Sequence, residues 1–178
     1  MNIARNYLSL LISGFLVVGL ITFTGCNEED VDEEPTPQDI VDYILAIPEL
    51  STLTTAINTG EVINTLKGTG PYTFLAPNND AFEKLPEGTL RALLDNPDKL
   101  TDLLFYHTLT GNISSSDFTT GSIAPLYKRD GHIEVEVAGS NVQLNGSASI
   151  LEPDKEVVNG YVHIIDEVLI PVDFELPN

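Results

Sequence analysis

No tryptophan and only one cysteine occur among the 178 residues of this chain, and eight lysines and arginines stand against 27 aspartates and glutamates. A single thiol cannot build a disulfide framework, so a fold here must be held by its apolar core. A net charge of −19 repels nucleic acid phosphates and anionic headgroups, which sets both aside as partners. The Gly-x-Ser-x-Gly elbow of a hydrolase is missing. Gly68-Thr69-Gly70 precedes a strand instead of following one and lacks the Gly-Lys-Ser/Thr ending of a phosphate loop, so it reads as a turn. Nothing at ligand spacing joins His163 to another histidine or to the cysteine, so no zinc site is expected. Asn78, Asn79, Asp80 and Glu83 gather oxygen-bearing side chains, yet the EF-hand glycine is absent and helix capping accounts for them. No cofactor and no metal are expected.

What is present begins with Cys26. Arg5 and the amino terminus supply a positive start, Leu8 to Phe23 an apolar body, and Thr24-Gly25 small residues that a processing peptidase accommodates. Phe23-Thr24-Gly25-Cys26 resembles a bacterial lipobox. The resemblance implies a signal peptide over 1–25, lipidation of the Cys26 thiol, and acylation of its new amine. Each buried CH₂ adds about 0.8 kcal/mol, so several acyl chains hold where one holds marginally. Two readings compete with it: an uncleaved spanning helix over Tyr7 to Thr24, and an idle thiol at Cys26.

Residues 26–37 read as an acidic, proline-containing tether. Seven acids fall between Asn27 and Asp39, with Pro35 and Pro37 and almost no apolar residue, so the stretch cannot bury enough surface to fold. Its thirteen residues span at most about 45 Å. Acids just after a lipidated cysteine resemble a signal for export to the outer leaflet, which implies an outer-membrane, surface-exposed lipoprotein of the cell envelope. A solvated spacer without an address is the other reading.

From residue 38 to 174 the composition suits one core. Its larger pieces are Phe74, Phe82, Phe105, Phe118, Phe174 and several tyrosines. Ile40, Val41, Ile44 and Leu45 form a helical stripe after Pro37. Ser51 is placed to cap a second helix carrying Leu53, Ala56 and Ile57, and Val62, Ile63 and Leu66 suggest a third. Leu90, Leu93 and Leu94, then Leu100, Leu103 and Leu104, make two more stripes around Pro97. The period then changes. Ile133, Val135 and Val137 alternate with Glu134 and Glu136, the pattern of a strand with one wet face. Asp130-Gly131 and Ser140-Asn141 mark turns on either side, Val142 and Leu144 alternate in a partner strand, and Val162 to Ile170 forms a longer buried run. Helices followed by strands indicate an α+β domain.

Two segments stand out. In Gly70-Pro71-Tyr72-Thr73-Phe74-Leu75-Ala76-Pro77-Asn78-Asn79-Asp80-Ala81-Phe82, a turn starts a buried strand, Pro77 stops it, and Asp80 with Glu83 is placed to make a capping box. Asn159-Gly160-Tyr161-Val162-His163-Ile164-Ile165-Asp166-Glu167-Val168-Leu169-Ile170-Pro171 reads as turn, central strand and stop, and Tyr106-His107 follows an apolar helix between them. Together, in order and in register, these resemble the fasciclin domain over residues 38 to 172. The resemblance implies a wedge of β-strands with several helices packed around it, and a non-enzymatic role in cell adhesion or extracellular matrix contact.

His107 could act as a catalytic base, but an imidazole after a buried helix is more often a satisfied structural donor, so Tyr106 and His107 are expected to be structural. Glu152, Pro153 and Asp154 lie where animal members of the family carry an adhesive Asp followed by two apolar residues. Here Lys155 and Glu156 replace that pair, so the expected contact is a charged turn unlike an integrin site, with a plain exposed turn as the alternative. The expected partner is an extracellular protein or polysaccharide, with the membrane reached through the lipid. A glycan-binding accessory module of the envelope is the second functional reading, which exposed aromatics at Tyr127 and Tyr161 would favour.

Overall fold

A computed structural model describes residues 38–127 and 131–176. Cys26, the 1–25 segment, the 26–37 tether and Asp130 of the expected turn lie outside the described residues. Six helices and seven strands follow in order: α1 Ile40–Ala46, α2 Ser51–Thr59, α3 Ile63–Leu66, β1 Tyr72–Pro77, α4 Asn79–Glu83, α5 Thr89–Leu94, α6 Pro97–Tyr106, β2 Thr108–Thr110, β3 Gly121–Ile123, β4 Ile133–Ala138, β5 Asn141–Leu144, β6 Ala148–Val157 and β7 Gly160–Ile165.

The strands form one sheet in the order β2-β1-β7-β6-β5-β4-β3. Only β1 and β7 run parallel, Tyr72 opposite Gly160 through Pro77 opposite Ile165. A bridge from Leu109 to Pro125, and the Leu126 N–H donating to the Thr108 carbonyl at 2.7 Å, bring the two ends of the sheet together. The result is a barrel that is nearly closed. Closure leaves two places to bury apolar side chains. Phe74, Ala76, Val162 and Ile164 point to the helices and pack with Ile40, Ile44, Leu53, Ile57, Leu66, Leu93, Leu100 and Leu104. Their neighbours Leu75 and Ile165 point into the barrel, against Leu109, Phe118, Ile133, Val135 and Leu144. A strand buried on both faces reads as a continuous apolar run, which is why β1 and β7 look alike in sequence.

Gly160 makes the close parallel pairing possible. It sits at φ 155, and a Cβ there would fall 1.6 Å from the Tyr72 carbonyl oxygen. Only a residue without a side chain lets β1 and β7 begin together.

Several local expectations are corrected. Leu45 is 49% exposed, because α1 buries Ile40, Val41 and Ile44 in the core and turns Leu45 away from it. Ser51 does not cap α2. A 3-10 turn over Pro48–Leu50 precedes it, and the Thr52 N–H is instead taken by Asn79 Oδ1 of α4 at 2.9 Å, a cap supplied from another helix. Asp80 and Glu83 make no capping box, since Asn78 caps α4 by accepting from the Ala81 N–H at 2.8 Å. The hairpin between β4 and β5 turns at Gly139 and Ser140, one residue early, because Gly139 takes the left-handed φ of 67. The buried run after Val162 leaves the sheet at Ile165, although Val168 and Leu169 stay buried.

Candidate functional site

Tyr106 ends α6 and His107 follows as its C-cap. His107 is buried, and both ring nitrogens are engaged: Nδ1 lies 2.8 Å from the Leu103 carbonyl, and Nε2 accepts from the Leu169 N–H at 2.9 Å. Because Nε2 is the acceptor, the proton sits on Nδ1 and is donated to Leu103. Burial pushes the imidazole down from 6.5 to about 4, against a smaller opposing effect of the Leu103 carbonyl. A neutral ring with no free nitrogen cannot serve as a base. The Tyr106 hydroxyl donates to the His132 carbonyl at 2.6 Å and accepts from Asn145 Nδ2 at 3.2 Å, while its ring meets Tyr127 edge-on at 5.8 Å. Burial raises its phenol above the usual value. The pair thus ties α6 to the start of β4, the β5–β6 turn and the segment after β7.

Glu152, Pro153 and Asp154 do not form a turn after a strand. They lie inside β6, where the register with β7 slips between Ile150 and Glu152 and again between Glu152 and Lys155. Those slips are bulges that re-aim the strand. Asp154 sits at φ 60, the left-handed region that aspartate tolerates better than most residues. Its carboxylate accepts from the Ser115 N–H at 2.6 Å and from the Ser115 hydroxyl, and its own N–H donates to His163 Nδ1 at 3.0 Å. His163 Nε2–H in turn donates to the Ile113 carbonyl at 2.8 Å. Partial burial works to raise the Asp154 carboxyl, but the Ser115 donors and His163 outweigh it and hold it below the usual range. Burial lowers the His163 imidazole, so its 4.0 Å approach to Asp154 is a dipole contact and not an ion pair near neutral pH. Asp154 therefore clips the 113–117 loop onto the barrel. Lys155 pairs with Glu152 at 3.0 Å on the exposed side.

Tyr127 is only 5% exposed and Tyr161 is half-buried, stacked on the His163 ring at 6.3 Å. Tyr127 does not offer the exposed ring that would favour a glycan-binding module, because it packs against Tyr106. Among the described residues, no group of three His, Cys, Asp or Glu side chains could hold a metal ion.

Sequence reasoning missed Asn159. Its Oδ1 accepts from the Ile40 N–H at 3.0 Å, its Nδ2 donates to the carbonyls of Leu66 at 2.6 Å and Gly68 at 3.1 Å, and its own carbonyl accepts from the Tyr72 N–H at 3.0 Å. The side chain joins α1 to the end of α3, and the main chain of the same residue reaches β1. An asparagine before a glycine looks like ordinary turn chemistry, and only its burial betrays the role.

Comparison with known proteins agrees with this geometry. The model of the Fasciclin domain family matches residues 48–171. The chain is 34% identical over 134 residues to Protein sll1483 of Synechocystis, covering 74% of this chain and 73% of that protein. It is 38% identical over 121 residues to transforming growth factor-beta-induced protein ig-h3 of Sus scrofa, covering 67% of this chain and only 17% of that much longer protein. A solved FAS1 domain pair from the insect cell adhesion molecule Fasciclin I superposes with a TM-score of 0.65 at 16% identity, over 75% of this chain and 51% of that one, which establishes the likeness of fold.

Proposed function

Since this chain belongs to the Fasciclin domain family, we propose that it is a non-enzymatic adhesion module, held to the outer surface of a cell by lipid on Cys26 and presented on the 26–37 tether. The observation that carries the proposal is the family match over 48–171, nearly the whole folded part. Two features of the site support it. The ring nitrogens of His107 and His163 are all committed to backbone partners, so neither imidazole is free for acid–base work. The net charge of −19 favours an extracellular protein or polysaccharide over nucleic acid.

Within this reading, the β6 bulge at Glu152, Pro153 and Asp154 is the first contact surface to test. The glycan-module alternative loses Tyr127, whose ring is buried. Cells displaying the full chain should attach to immobilised matrix protein, and cells displaying Cys26→Ser should shed the protein and lose both attachment and fatty-acid labelling. Equal labelling of the two would remove the anchor, and absence of attachment by labelled wild type would remove the adhesive role.

A further inference from the structure

A groove of about 570 Å³ opens where β4 begins and the chain leaves β7, a volume within the range of ligand cavities. Its walls are held by the Tyr106-His107 pair. Tyr106 fixes the His132 carbonyl and the Asn145 amide, His107 fixes the Leu169 N–H, and all three partners line the groove. The shape is therefore set before any ligand arrives, which lowers the cost of binding.

Among the described residues, the charged groups that line the groove are carboxylates. Glu134 and Glu167 contribute carboxylates, and a smaller adjoining cavity shares His132 and Val172 and adds Asp173. No lysine or arginine lines either cavity among the described residues. Beside the carboxylates runs an aliphatic strip through Ile170 to Val172, whose side chain is fully exposed. Among the described residues, no Phe, Tyr or Trp lines the groove to stack on a sugar ring.

We infer that this groove binds an extended basic peptide of a partner protein, seating an aliphatic side chain on Ile170 and Val172 and a lysine or arginine against the carboxylates of Glu134 and Glu167. The inference rests on the adhesive reading and names a contact site for it other than the β6 bulge. Low-dielectric walls concentrate the attraction of the carboxylates, while the aliphatic strip selects against a bare cation.

The test uses the full chain in non-ionic detergent and a fluorescein-labelled peptide of alternating lysine and valine, followed by anisotropy. Wild type should bind with an affinity that falls as salt rises. E134Q/E167Q should weaken binding about tenfold. E49Q/E87Q removes the same charge at exposed positions that line neither cavity, and should change the affinity by less than about twofold. Equal weakening by the two double variants would show diffuse attraction to an acidic protein and overturn the site. Equal binding of a glutamate-valine peptide would overturn it as well. Cell attachment separates the two readings. If wild-type cells do not attach but the double variants still differ in anisotropy, the adhesive role fails and the groove stands. If attachment survives E134Q/E167Q undiminished, the groove is not the adhesive contact.

Discussion

Lowering the pH tests the assignment of His107 directly. In the unfolded chain its imidazole titrates near 6.5, and burial in the folded domain lowers that to about 4. Between those values the unfolded chain takes up a proton that the folded domain refuses, so stability is full above about 6.5, falls as the pH drops, and levels off below about 4. At about 1.36 kcal/mol per pH unit, the interval amounts to about 3 kcal/mol, a large part of the 5–15 kcal/mol typical of a domain. His163, also lowered by burial, acts in the same direction, so the His107 share must be isolated. His107→Asn places an amide where Nδ1 stood, keeping a donor for Leu103 while leaving the buried Leu169 N–H unpaired, at about 1–3 kcal/mol. Urea unfolding of the domain from Gln38 onward, followed by circular dichroism at several pH values between 7 and 4, should show wild type losing stability faster than the variant. The two should converge as the pH falls. In NMR, the His107 ring proton should not move until the pH is below about 5. A His107 midpoint near 6.5, or a gap between wild type and variant that stays constant with pH, would refute the buried neutral tautomer.

Three further outcomes are expected. Asn159→Ala removes the partner of the Ile40 N–H and of the Leu66 and Gly68 carbonyls, and should cost about 3 kcal/mol in urea unfolding; a change under about 1 kcal/mol would deny it the joining role. Gly160→Ala places a methyl against the Tyr72 carbonyl and should abolish soluble folded protein, whereas Gly146→Ala, at φ 71 with open space around it, should cost only about 1–2 kcal/mol; similar losses at both would contradict the close β1–β7 approach. Asp154→Ala should release the 113–117 loop, seen as faster hydrogen exchange at the Ser115 amide; unchanged protection there would mean that the carboxylate does not hold the loop.

Local periodicity and motif order were legible in the chain because they depend on neighbours a few residues apart. The stripe Leu100, Leu103, Leu104 is a helix, Ile133, Val135, Val137 is a half-wet strand, and the three segments around Phe74, Tyr106 and Val162 all fall within the span that the family model matches. Capping was not legible in the same way. Ser51 looks like a cap, yet the side-chain amide oxygen of Asn79, distant in sequence, takes the Thr52 N–H. The bulge at Asp154 resembled a turn because proline and acidic residues mark both, and only pairing with β7 shows the strand continuing.

The sequence alone determined which stretches can be helix or strand, since side-chain spacing and backbone preference are local properties, and it identified the family through three motifs. Tertiary structure decided what the polar residues do. His107, His163 and Asn159 acquire their roles from carbonyls and N–H groups tens of residues away. Burial then makes each of those partners obligatory, because a desolvated polar group left unpaired costs more than any local preference supplies.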